Sequence, residues 1–438
     1  MQTMPYDDDN FTARPLDRRT FIKRGIAFVG AGSMAPPAFL RAVFDEQSLP
    51  ISATSALTDT ARRVLVVLQL GGGNDGLNTV IPVGDPAYAR ARPSLAINAA
   101  SALPLGNGLA LNPAMTGMKA LYDRGELGVV LGVGYPNPSR SHFRSMDIWH
   151  AASFEEHSET GWIGRLLDAT KHEQRSLWRA ANLGSEEPLS LASRSTFVPS
   201  VGSVPGYMLQ MDERLPQQAA KRTQDFVEIQ TRQAEALAQQ AEYGGQLAFV
   251  SKTGIEAYQS TVKLQSAVKG YASRTTYPST PLGSALNTAS QLISSDLGTG
   301  VCYVTTGGFD THGNQSGTQN NLLGIVSNAL LAFYDDLALR GRAKNVTTLV
   351  WTEFGRRVKE NGSRGTDHGT AGPVFIVGGG VKAGLHGEQP SVGSLDDNGD
   401  LKFTTDFRSV YASIIAQRFG ADPRDILGQS FAPLPLFA

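Results

Sequence analysis

The chain has 438 residues, with 39 lysines and arginines against 40 aspartates and glutamates, for a net charge of −1. With no basic face evident, this balance recommends neither nucleic acid nor an anionic membrane surface as partner. Cys302 is the single cysteine, so no intrachain disulfide can form, which suits a protein folded in a reducing compartment.

In chain order, the first signal is Arg18-Arg19-Thr20-Phe21-Ile22-Lys23, followed by a weakly apolar run from Gly25 to Gly32. A basic segment ahead of a short apolar one reads as an export signal, and the paired arginines mark the twin-arginine route, which carries folded proteins. Pro36 and Pro37 close the run well short of the roughly 20 residues a membrane span needs. The sequence therefore predicts export by the twin-arginine machinery to the periplasm or beyond, with no stable membrane anchor after processing. Residues 1–57 are read as signal and linker, with cleavage candidates among Ser52 to Ala56.

From residue 58 the pattern becomes that of one large α/β domain. Arg63 to Leu70 is a continuous apolar, β-branched run ending in glycines, the pattern of a central parallel strand buried on both faces. Similar runs recur at Leu127 to Val133, Gly300 to Thr305, Val346 to Trp351 and Val374 to Val377. Helical spacing lies between them, for example over Asn320 to Leu339. Strands alternating with helices predict a parallel sheet with helices on both faces. The stretch from about 151 to 279 is more polar and is read as a mostly helical insertion or cap, with a long helix over Pro216 to Ala241. Trp149, Trp162 and Trp178 are expected in the core rather than on a substrate platform. Asp396-Asp397-Asn398-Gly399-Asp400 lacks the downstream glutamate of a calcium loop and predicts a hairpin turn.

Gly71, Gly73 and Gly76 satisfy G-x-G-x-x-G directly after a strand. However, Pro82, Gly84, Asp85 and Pro86 interrupt the helix that a dinucleotide turn requires, and no acidic strand end follows about 20 residues on. The glycines fit better a loop that brings Asn74 and Asp75 close to an ion or oxyanion. Polar clusters also follow the later strands, at Pro136 to His142, Gly307 to Gly313 and Thr352 to Arg357. Ligands of such sheets bind at the carboxyl ends of the strands. Carboxylates and imidazoles are the usual protein ligands of divalent cations. Asp310-Thr311-His312 and Asp367-His368, joined by Asp75 and Glu353, are therefore predicted to meet at one rim as a metal or catalytic cluster. His142 is a candidate ligand or proton donor. His150, His157, His172 and His386 read as solvated, with His150 the candidate exception.

Taken together, Leu70 to Gly76, Ser141-His142-Phe143, Phe309 to Gly313, Thr352 to Arg356 and Asp367-His368-Gly369 resemble the exported domain-of-unknown-function family 1501. That family resembles a branch of the alkaline phosphatase and sulfatase superfamily. The resemblance implies a three-layer α/β sandwich around a mixed, mainly parallel sheet. It further implies that Asp75 or Asn74 takes the place of a metal-binding aspartate after the first strand, and that Asp310 with His312 and the later His368 are metal ligands. Glu353 takes an aspartate's place, and Phe354 stands where a further histidine is expected. Asn137-Pro138-Ser139-Arg140 resembles a sulfatase stretch, but Pro136 replaces the cysteine, which argues against a formylglycine sulfatase. Ser141 or Ser139 remains as nucleophile candidate, with Arg140 or Arg356 to pair with ester oxygens. The missing imidazole shifts the expected ligand set toward oxygen, with one or two ions among zinc, manganese, magnesium and calcium. The implied activity is metal-dependent hydrolysis of a small-molecule or polymeric phosphate or sulfate ester. The competing expectation is a binding or envelope-assembly protein on the same fold without turnover.

Overall fold

The structure, a computed structural model, describes residues 63–170, 178–184, 186–203, 228, 229, 232, 261, 263–295 and 297–438. The twin-arginine segment, the linker, His172 and all of the helix expected over 216–241 except residues 228, 229 and 232, which are helical, lie outside the described residues. The account below concerns the unit formed by residues 54–208 and 260–438.

Its strands and helices follow the sequence pattern closely. Strand β1 (Val64–Leu70) is buried throughout. The short helix α1 (Gly76–Thr79) leads into β2 (Val80–Ile81). Helix α2 (Pro86–Ala91), β3 (Leu103–Gly106), β4 (Leu109–Leu111) and α3 (Thr116–Asp123) follow. Strand β5 (Leu127–Gly134) then enters the main sheet, ahead of α4 (His142–Ala151) and α5 (Trp162–Ala169). Next come β6 (Ala180–Asn182), α6 (Pro281–Ser294), β7 (Val301–Thr306), α7 (Gln315–Leu339) and β8 (Val346–Trp351). The chain closes with β9 (Gly372–Gly378), β10 (Gly384–His386), β11 (Thr405–Asp406), α8 (Phe407–Phe419) and the short α9 (Pro423–Leu427).

The main sheet runs in the order β10-β5-β9-β8-β1-β7-β6, with β11 also paired to β5. Strand β1 pairs in parallel with both β7 and β8. Its side chains alternate: Val64, Val66, Leu68 and Leu70 enter one core, shared with α3, α6 and α7. Leu65 and Val67 enter the other, shared with α4, α5 and α8. A strand buried on both faces reads as an unbroken apolar run, which is why the sequence pattern located it. At about 1.5–3 kcal/mol for each buried Val, Leu or Phe, the two cores are the main stabilising term. The result is a three-layer α/β sandwich around a mixed, mainly parallel sheet. Helix α7 is apolar and long enough to cross a membrane by length and composition, with half of that window buried in the protein.

Strand β9 accounts for much of the mixed character of the sheet, running antiparallel to both β5 and β8. A parallel return from β8 needs a crossover of a dozen or more residues, usually a helix. The 352–371 connection carries none, so β9 turns back instead. The reversal matters for function: β9 begins at the rim where its parallel neighbours end. Residues just ahead of it thus arrive beside the loops that leave β1, β5, β7 and β8.

The region read as an insertion also contributes to the sheet. Strand β6 pairs in parallel with β7, and Trp162 and Trp178 are buried, as is Trp149 in α4. The 396–400 turn is a hairpin closed by Leu395 against Leu401, as expected.

Candidate metal centre

The glycines after β1 are a packing device. Gly72 and Gly73 both have positive φ. A Cβ on Gly72 would lie 2.5 Å from the Asp310 backbone nitrogen, and one on Gly73 would lie 2.3 Å from the Phe354 ring. Only glycine supplies this backbone and this clearance, so the loops after β1, β7 and β8 close on one another. Helix α1 is four residues long, too short for the helix a dinucleotide turn opens, in line with the sequence argument.

Three imidazoles and one carboxylate converge where these loops meet. His142 opens α4, Asp310 and His312 follow β7, and His368 precedes β9, held by a bridge between Arg356 and His368. The Nε2 atoms of His312 and His368 are 2.9 Å apart. Asp310 Oδ1 lies 3.0 Å from the first and 3.1 Å from the second. His142 Nε2 lies 3.5 Å from Asp310 Oδ2. One donor atom from each of His142, Asp310 and His368 falls within a mutual 4.8 Å.

The protonation of each ring follows from its other nitrogen. A carbonyl or ionised carboxylate can only accept, so the ring nitrogen facing it must carry the proton. His142 Nδ1–H donates to Glu353 Oε1 at 2.7 Å. His312 Nδ1–H donates to Asp367 Oδ1 at 3.2 Å, and His368 Nδ1–H donates to the Arg140 carbonyl at 2.8 Å. With Nδ1 serving as donor in each ring, all three Nε2 atoms face one carboxylate, and a proton or a cation must lie between them and Asp310 Oδ1, which is 3.0 Å from His312 and 3.1 Å from His368. His142 Nε2 is buried without any hydrogen-bond partner. Lone pairs facing each other repel unless a cation sits among them, and outer acceptors on Nδ1 are how proteins orient imidazole ligands toward a metal. Tetrahedral bonds of about 2.1 Å place ligand atoms about 3.4 Å apart, close to the separations among His312, His368 and Asp310, while the group that includes His142 is His142, Asp310 and His368. The donor set fits a divalent cation.

Electrostatics agree. The Glu353 bond raises the His142 pKa against the opposing effect of burial, making it a more basic ligand. Burial would raise the Asp310 carboxyl, but the Arg356 guanidinium, foremost among the groups around it, holds it down at about 2. For Glu353, burial is likewise outweighed, first by His142 and then by the Gly72 and Thr352 donors, so it stays ionised. Phe354 lies beside two of the imidazoles, with its ring centroid 4.8 Å from those of both His142 and His368.

A family model for a protein of unknown function, DUF1501, matches residues 61–426. This chain belongs to the DUF1501 family. No curated protein matches it in sequence. Among solved structures, it is similar to a protein in the alkaline phosphatase superfamily from Vibrio parahaemolyticus, at 10% identity over 90% of this chain and 79% of that one (TM-score 0.35). It is also similar to the PsFucS1 sulfatase from Pseudoalteromonas sp., at 10% identity over 91% and 72% of the two chains (TM-score 0.35). A third is the C-terminal periplasmic domain of EcEptC from Escherichia coli in complex with Zn, at 9% identity over 72% and 73% (TM-score 0.35).

Several residues expected as ligands of the DUF1501 site serve other ends. Asp75 is fully buried and its Oδ2 is bonded to Arg92 and Gln315. Asn74 Oδ1 accepts from Thr79 and Gln319. Both belong to a polar layer beneath the rim, because the tight glycine turn points them inward. Glu353 and Asp367 orient His142 and His312 from behind and do not face the Nε2 atoms. Where Phe354 offers no donor, His142 brings an imidazole to the same rim, so nitrogen outnumbers oxygen among the groups that face Asp310.

Neither arginine expected to grip an ester is free for it. Arg140 pairs with the buried Asp400, while Arg356 is buried with its donors on protein oxygens. Ser141 is exposed at the N-cap of α4, and its backbone N–H donates to Ser139 Oγ at 3.2 Å. Neither serine hydroxyl bonds a site histidine or carboxylate. His150 is buried, 3.0 Å from Gln69 Oε1, away from the cluster.

The sequence reading missed Ser145, whose hydroxyl donates to the Glu353 carbonyl and pairs with the Tyr135 hydroxyl. Its spacing of one helical turn from Ser141 was the available signal. Glu353→Gln, which keeps shape but removes the negative charge behind His142, is expected to weaken divalent-ion affinity about 10–100-fold. Competition titration against a chromogenic chelator measures this, and an unchanged constant would show that Glu353 does not support His142.

Proposed function

We propose that this chain is an exported, divalent-metal-dependent hydrolase of phosphate or sulfate esters. One observation carries the reading: three imidazoles, each held from behind through Nδ1, turn their Nε2 atoms on a single carboxylate at the carboxyl rim of a parallel sheet, where ligands of such sheets bind. The export part rests on Arg18-Arg19 and the apolar run after it.

His142, His312, His368 and Asp310 would hold the ion. Such an ion supplies Lewis-acid polarisation of an ester oxygen and a water or hydroxyl of lowered pKa. The protein's own groups then bind and orient. Ser141, at the start of the ten-residue α4, offers a hydroxyl and the free first-turn N–H groups of that helix to an anionic group. Glu353 and Asp367 hold the Nδ1 protons of His142 and His312, so those rings keep their Nε2 atoms inward throughout. The nitrogen-rich donor set favours zinc over magnesium or calcium.

The test is elemental analysis of full-length protein, followed by hydrolysis of a generic aryl phosphate and aryl sulfate before and after chelation. Bound metal with turnover that falls on chelation and returns on readdition is expected. Metal-free protein that hydrolyses either ester would refute the metal reading. A second reading, metal binding without turnover in envelope assembly, is favoured by one observation: neither Ser139 nor Ser141 is hydrogen-bonded to a base. Stoichiometric metal without hydrolysis of any ester selects it.

A further inference from the structure

We infer that Arg356 is a permanently seated cation that makes this a one-ion centre and fixes Asp310 as its only anionic ligand. The inference rests on the metal reading above and specifies its stoichiometry. Arg356 is 1% exposed. Its Nε donates to the Gly73 carbonyl at 2.6 Å and its Nη1 to the Thr366 carbonyl at 2.7 Å. Its Nη2 donates to the Gly72 carbonyl, to the Phe309 carbonyl at 3.1 Å and to Asp310 Oδ1 at 2.6 Å. Four carbonyls and a carboxylate around one positive group form the kind of oxygen shell that otherwise surrounds a hard metal ion. They come from three of the loops at the rim: the turn after β1, the loop after β7 and the segment ahead of β9.

Charge balance leads to the same number. Among the charged groups touching the imidazoles or Asp310, there are three carboxylates, Asp310, Glu353 and Asp367, and one guanidinium, Arg356. The remainder is two negative charges, which one divalent ion neutralises. Among the described residues around this rim, a second divalent ion would meet no uncompensated anion: the fully buried Asp75 is already bonded to Arg92. Nor would an ion beside Arg356 find free acceptors, because the guanidinium already takes the oxygens that such an ion would need. Arg356 is thus a positioning residue: it acts on the centre through Asp310, whose Oδ1 it ties back.

Chelator-stripped wild-type protein titrated with Co²⁺, followed by absorption spectroscopy, should take up one ion per chain. Arg356→Ala should bind Co²⁺ about 10–100-fold more weakly, the range for an outer group that orients a ligand, with an altered ligand-field spectrum. Guanidinium at tens of millimolar, far below its denaturing range, should restore at least part of the affinity and the wild-type spectrum. Urea, flat but neutral, should not. Two ions of similar affinity on the wild-type chain would overturn the inference, as would Arg356→Ala with unchanged affinity and spectrum. If that variant does not fold, the wild-type stoichiometry decides alone. A wild-type chain that takes up no ion would instead remove the metal reading itself.

Discussion

Alanine in place of Asp310 is expected to abolish tight binding of divalent ions and any ester hydrolysis that depends on it. Among the described residues, Asp310 is the only carboxylate that reaches all three imidazoles, with Oδ1 beside His312 and His368 and Oδ2 facing His142. Outer groups that merely orient a ligand are worth about 10–100-fold in affinity, so losing the inner carboxylate should exceed the upper end of that range. The measurement is metal retained after dialysis, together with the rise in thermal midpoint on adding metal. Ligand-linked stabilisation grows as the logarithm of concentration over Kd, so the variant should show almost no rise where the parent shows several degrees. Asp310→Asn separates charge from shape: it keeps an oxygen donor and should fall between the two. A variant that retains metal as tightly as the parent would mean that the imidazoles do not converge on this carboxylate in solution.

The second large effect concerns stability. Arg92→Met should destabilise the fold by about 3–5 kcal/mol, the usual cost of removing one partner from a buried ion pair. Arg92 and Asp75 are both fully buried. The guanidinium also donates to the Val358 carbonyl at 2.9 Å, to Asn78 Oδ1 at 2.9 Å and to the Arg357 carbonyl at 2.9 Å. Its loss strands a carboxylate whose Oδ1 already has no partner. Adding Asp75→Asn should recover part of the loss, because the stranded group is then neutral. Urea unfolding of the single and double variants measures both. A double variant less stable than Arg92→Met alone would contradict this account of Asp75.

These two carboxylates show what the sequence reveals and what it does not. Asp75 and Asp310 look alike on paper, each a few residues beyond a buried apolar strand and beside glycines. What separates them is the partner. Arg92 lies just after the short α2 helix in a stretch interrupted by prolines, and no periodicity announces that it folds back beneath the β1 turn. The convergence of the strand-end loops was legible, because the carboxyl ends of parallel strands share a rim whatever the details of the loops. The role of His142 was only half legible. Its position after β5 placed it at that rim, but that it faces Asp310 through Nε2 depends on how α4 leaves the sheet. Glu353 was read as a ligand because carboxylates bind metals. The fold instead turns it inward, where Gly72 and His142 donate to it. Strand β6 was missed outright: three residues carry no alternation to detect, and its pairing with β7 is a long-range fact.

The centre draws its members from distant parts of the chain: His142 and Glu353 are 211 positions apart, and His312 and Asp367 are 55 apart. Before the sheet forms, nothing in the polypeptide preassembles them. A seated ion would therefore act as a removable crosslink across very large loops, and long loops are those whose closure constrains an unfolded chain most. Its departure would loosen the rim from β5 to β9 together, tying the lifetime of the folded protein to the supply of metal around it.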